Sequence, residues 1–164
     1  MASSYSFGIS ATLAVLYLFS LVFLSVPHLS LCQQPDIHDL LPRMFGLPPG
    51  LIPNNVDSYH IPDTGAGPFS IQLSRPCSVR DPFPVEYAPE IRGIIRYHAV
   101  SGLMGVFVPI PNGDFVRLTD INVSDDGERI VFYAWGTSQT LPAQIFQQVP
   151  ACEDGEAAAL QSAV

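Results

Sequence analysis

Lysine is absent from this chain of 164 residues, and all seven of its basic side chains are arginine. Without a side-chain primary amine there is no Schiff-base lysine, no phosphate-loop lysine and no lysine general base. Fifteen acidic residues against those seven arginines give a net charge of −8. That acid excess argues against nucleic acid, since binding phosphate backbones requires a basic face. No Gly-x-Ser-x-Gly elbow occurs, so the nucleophile of an ordinary α/β-hydrolase is missing. Charged residues make up 13% and hydrophobic ones 48%, a balance that allows a core and argues against disorder. The length suits one domain.

Charge is also missing from Met1 to Cys32, which contains no Asp, Glu, Lys or Arg. Phe7 to Val26 is almost entirely apolar. At the extreme N-terminus such a run reads as a secretory signal peptide, with Ser30-Leu31-Cys32 supplying the small residues of a cleavage site. The mature chain then begins at Gln33, where the composition turns polar and Pro-rich. The alternative is an uncleaved anchor, because the run is about long enough to span a bilayer and no basic side chain precedes it. The domain is expected over residues 33–152, and residues 153–164, which hold no aromatic side chain, form a fraying tail.

Cleavage leaves two of the three cysteines, Cys77 and Cys152. In an oxidising compartment two such residues pair as a disulfide or remain as separate buried thiols. A bridge would close a loop of about 76 residues, worth roughly 4.5 kcal/mol in the chain-entropy model. Asn122-Val123-Ser124 is an N-glycosylation sequon.

Asp36 is a helix N-cap candidate, followed by an apolar stripe at Ile37, Leu40 and Leu41. Pro42 should end or kink that helix and Gly46 could terminate it. From Phe69 onward the period changes to two. Phe69 to Leu73, Ile91 to Ala99, Leu103 to Ile110, Phe115 to Val123 and Arg129 to Trp135 read as strands. Asn112-Gly113 and Asp126-Gly127 punctuate the last three as tight turns. Leu141 to Val149 reads as a short helix with Leu141, Ile145 and Phe146 inward. The expected fold is mainly β: a small antiparallel β-barrel-like domain with short N- and C-terminal helices, closed or nearly closed.

Four ordered blocks resemble a plant secreted family, the domain of unknown function 538. They are Phe45-Gly46-Leu47-Pro48-Pro49-Gly50-Leu51-Ile52-Pro53 with Ser58-Tyr59; Gly67 to Leu73 leading to Pro76-Cys77; Ile91-Arg92-Gly93 to Tyr97 with Leu103-Met104-Gly105-Val106; and Leu141 to Cys152. The resemblance implies a small antiparallel barrel-like domain of the secretory pathway, a fold likened to lipid-carrying barrels of the bactericidal permeability-increasing type. It also implies that Cys77 and Cys152 are a matched pair. It brings no catalytic residues, because the family has no established activity. Pro109 to Asp114 departs from the family pattern in a longer polar turn.

Catalytic and metal-binding patterns are weak. His60 and Asp63 lie near Ser58 and Ser70, but a loop His beside a Pro is ordinarily a surface residue. His98 falls on the Arg92/Arg96 face and is expected to be solvated. Asp36, His38 and Asp39 lack a recognised ligand spacing. Asp120 begins like a calcium loop, but its sixth position is Asp125 rather than Gly and its twelfth is Val131 rather than Glu. No catalytic residue, metal ligand or cofactor is assigned.

The remaining functional element is the interior. Phe69, Ile71, Ile91, Ile95, Tyr97, Phe107, Phe132 and Trp135 are candidate lining residues, and Gly93 and Gly105 would leave room beside them. Three functions follow. The first is a secreted module that holds a neutral amphiphilic or lipid-like molecule, since a −8 protein repels anionic ligands. The second is an extracellular interaction protein with a filled core, and the third a weak esterase-like hydrolase.

Overall fold

The computed structural model describes residues 34–110 and 113–153. The proposed signal peptide or anchor and the tail beyond Glu153 lie outside them. No helix among the described residues is long and apolar enough to cross a membrane.

The fold begins with helix α1, Ile37–Phe45. The Asp36 side chain accepts the amide of His38 at 2.9 Å, as an N-cap should. Ile37, Leu41 and Phe45 recur every four residues on one face and are buried. The helix runs through Pro42 rather than ending there. Burial of that apolar stripe outweighs the lost hydrogen bond, and the chain turns only at Gly46, whose φ is +62°. The amides of Gly46 and Leu47 return to the carbonyls of Pro42 and Leu41, both at 3.2 Å, satisfying the helix end.

Eight antiparallel strands follow: β1 Val56–His60, β2 Ala66–Leu73, β3 Cys77–Val79, β4 Val85–Arg96, β5 Ala99–Pro109, β6 Phe115–Val123, β7 Arg129–Ala134 and β8 Thr137–Pro142. They pair in the order β1-β2-β4-β5-β6-β7-β8, with β3 lying beside β4. The antiparallel, mainly β architecture matches the expectation, but β1 and β8 remain edges and the sheet is not closed. It surrounds its interior by curving. One cause is visible in β5, where inward residues fall at Val100, Leu103 and Val106 instead of every second position. Gly102 and Gly105 supply the extra residues at positive φ, +61° and +86°. A Cβ on Gly105 would lie 2.1 Å from the Glu90 carbonyl oxygen, so this close approach admits only glycine. Gly93 is similarly filled: a Cβ there would meet the Phe69 ring at 3.1 Å. Neither glycine leaves room for a ligand.

The single strand expected over Ile91 to Ala99 is instead the end of β4, a turn at Tyr97-His98 and the start of β5, with Arg96 opposite Ala99. His98 takes the positive φ, +59°. It is not solvated. Its amide donates to the Phe45 carbonyl at 2.7 Å, its carbonyl accepts the Val123 amide at 2.7 Å, and its ring stacks on Tyr97. The C-terminal helix is reduced to one 3-10 turn, Ala143–Phe146, because Leu141 is consumed by β8 pairing opposite Ile130.

The ends of the chain are tied together. Pro49–Leu51 form another 3-10 turn, and Gly50 is packed so tightly that a Cβ would stand 2.3 Å from the Gln148 carbonyl oxygen. The Asn54 amide donates to the Pro150 carbonyl at 3.0 Å. Cys77 and Cys152 are bridged, with Cα atoms 5.3 Å apart. Glu153 then pairs with Ser78 beside β3.

Candidate functional site

The inner face of the curved sheet bounds a cavity of about 460 Å³. Phe69 and Ile71 reach it from β2, Tyr87, Ile91 and Ile95 from β4, and Leu118 and Ile121 from β6. Leu41 and Leu47 close it from the helix side. β2, β4 and β7 contribute residues at alternate positions, and the inward positions are apolar while the outer faces carry Arg92, Arg96 and Arg117. No Asp, Glu, Lys, Arg or His is among the lining residues.

Its polar groups are few. Tyr87 is buried and its hydroxyl donates to the Leu51 carbonyl at 3.3 Å, a long bond. Burial pushes the phenol well above its ordinary value of 10.0, because the interior does not solvate a phenolate. Thr137, Ser138 and Gln139 of the exposed edge strand β8 supply the others. They stand at one end of the sheet with Phe83-Pro84, which precede β4, and Pro109-Ile110, at the end of β5. Phe146 lies between Phe83 and Phe132, with ring centroids 6.5 and 5.2 Å away, and packs the same end.

Five of the eight expected lining residues face this cavity: Phe69, Ile71, Ile91, Ile95 and Phe132. Tyr97 and Trp135 do not. They occupy the β4–β5 and β7–β8 turns and are 64% and 75% exposed. Phe107 alternates outward between the inward Val106 and Val108. Sequence reasoning missed Tyr87 and the β8 residues. The alternation of Val85 and Tyr87 carried a usable signal, whereas Thr137-Ser138-Gln139-Thr140 has no apolar period to read.

The other candidates are not assembled into a reactive centre. His60 is opposite Ser70 across β1 and β2, but no side-chain hydrogen bond or ion pair joins it to Ser58, Ser70 or Asp63 among the described residues. The His38 Nδ1 lies 3.1 Å from the Pro49 carbonyl oxygen. No group of three or more His, Cys, Asp or Glu that could hold a metal ion occurs among the described residues. In the Asp126-Gly127 turn, Asp126 accepts the Ser124 hydroxyl and the Glu128 amide. The Ser124 bond, then the Glu128 bond, hold its carboxyl below the usual range. Asn122 is exposed on β6, between buried Ile121 and Val123.

Neither the search of curated proteins nor that of solved structures found a match. The family model for a protein of unknown function, DUF538, matches residues 37–147, from the first residue of α1 to just beyond the last 3-10 turn. That span contains every strand and all the cavity walls, and by it the chain belongs to the DUF538 family.

Proposed function

We propose that this protein is a secreted carrier of a neutral amphiphile held inside the curved sheet. The observation that carries the reading is the uncharged lining of the 460 Å³ cavity. That volume falls in the range of about 300–1,000 Å³ common for small-molecule sites. An apolar tail against Ile71, Ile91 and Leu118 replaces water at favourable contacts, whereas a carboxylate placed there has no cation to meet it. A hydroxyl or carbonyl head group finds partners in Tyr87 or at Thr137 to Gln139. The Cys77–Cys152 bridge and the uncharged N-terminal run support an oxidising, extracellular destination, and the exposed Asn122 sequon suits a glycan.

The test is native mass spectrometry of the chain secreted by eukaryotic cells and recovered from the medium. A saturated fatty alcohol is expected to add one mass per chain, lost on denaturation, and to bind at least tenfold tighter than the matching fatty acid. Ala134→Phe, which projects a ring into the cavity, is expected to abolish the adduct while keeping the circular dichroism spectrum. No saturable adduct with the alcohol overturns the reading. The denatured mass also reports whether the chain begins at Gln33 and carries a glycan.

A further inference from the structure

The only tryptophan of the chain, Trp135, occupies the two-residue turn between β7 and β8. It is 75% exposed, and both turn residues have positive φ, +47° for Trp135 and +73° for Gly136. Turns of this shape favour Asn-Gly, and a bulky residue in the left-handed region is strained. Fixing a large aromatic side chain outward at such a turn offers nothing to the core. Its neighbours explain its position. Ala134 on one side and Thr137 and Ser138 on the other line the cavity. Phe115 is 40% exposed, is opposite Pro109 in register, and precedes the lining residue Val116. Phe83-Pro84 complete the rim.

Charge at this end differs from that of the whole molecule. The charged residues of the adjoining connections and of the starts of β4 and β6 are Arg80, Asp81, Glu86, Asp114 and Arg117, a sum of −1. Glu153, 3.0 Å from Arg80, adds one more negative charge. Most of the −8 therefore resides elsewhere, and no basic cluster is present at the rim to attract anionic lipid. An aromatic tip on a rim with little net charge and no basic cluster suits the interfacial region of a bilayer with zwitterionic head groups, where Trp is favoured.

We propose that the cavity mouth docks on the surface of a zwitterionic bilayer, with Trp135 and Phe115 entering the head-group region, so that an amphiphile passes between bilayer and cavity without crossing water. This rests on the carrier reading for its purpose, and the docking itself is separable by experiment.

Trp135 is its own reporter. The chain beginning at Gln33 keeps every described element and core residue. Titrated with phosphatidylcholine vesicles, it is expected to show a blue-shifted emission, quenched by lipids brominated near the head group. Phe115→Ser is expected to weaken vesicle partitioning about tenfold, the scale of one partly buried aromatic ring. Trp135→Gly, which relieves the turn, is expected to abolish co-sedimentation while preserving the fold. Ala134→Phe is expected to dock normally, which separates failure of docking from failure of the cavity. No shift with phosphatidylcholine overturns the proposal. So does a shift seen only with anionic vesicles, one that follows protein concentration without lipid (a contact between copies), or one produced equally by soluble amphiphile.

Discussion

The amide of His98 donates to the Phe45 carbonyl at 2.7 Å, joining the last residue of α1 to the β4–β5 turn. Gly46 makes this contact possible. A Cβ on Gly46 would stand 2.4 Å from His98 Cδ2, in a backbone already at φ +62°. Gly46→Ala is therefore expected to lower unfolding free energy by about 2 kcal/mol, the sum of a left-handed alanine and a displaced ring. In a His98→Ala background the same change is expected to cost only about 1 kcal/mol, because the ring is gone. Urea denaturation of the four proteins measures both values. Equal costs in the two backgrounds would show that the ring yields freely.

The same turn shows what the sequence could and could not reveal. β2 and β7 alternate cleanly, so their existence and inward faces were legible from Phe69, Ile71 and Phe132, whereas β6 shifts register after Leu118 and brings Leu118 and Ile121, three residues apart, to the same face. Tyr97-His98 carries neither Gly nor Asn, and an uninterrupted apolar alternation hid the reversal. In β5 the inserted glycines disturb the period, and the run Leu103 to Ile110 is apolar at inward and outward positions alike. β8 is a polar edge strand, specified by pairing with β7 rather than by burial, and leaves no hydrophobic pattern. The cavity was legible only as apolar inward positions. Whether such residues meet across the interior depends on sheet curvature, and that arises from long-range pairing.

Cys77 and Cys152 connect β3 to the segment that follows the last 3-10 turn, across a sequence separation of 75. Near the bridge, the Cys152 amide donates to Asn54 Oδ1 at 3.2 Å and the Glu153 amide to the Ser78 carbonyl at 2.9 Å. Those contacts hold the native geometry but do not restrict the unfolded chain. Replacing both cysteines by serine is expected to lower stability by about 2–5 kcal/mol, chiefly by freeing the denatured ensemble. The urea midpoint should fall, and reduction of the unmodified protein should reproduce the loss. A midpoint unchanged in both experiments would show that the Asn54 and Ser78 contacts alone fix this segment.

Tyr87 gives the fold a response to alkaline pH. Its buried phenol retains its proton well above 10.0, while in the unfolded chain it ionises near that ordinary value. Below pH 10 the two states bind this proton equally and stability is insensitive to it. Above pH 10 the unfolded state sheds the proton first, so stability falls as pH rises, by at most about 1.4 kcal/mol per pH unit for this group. Tyr87→Phe removes the ionisation and a long hydrogen bond to Leu51, but keeps the ring against the cavity. Its stability is expected to lie close to that of the parent at pH 8 and to decline less steeply between pH 10 and 11. Urea midpoints at half-unit pH intervals measure the difference in slope. Parallel profiles would show that the interior admits enough water to solvate the phenolate, a result that would also weaken the case for a dry apolar cavity.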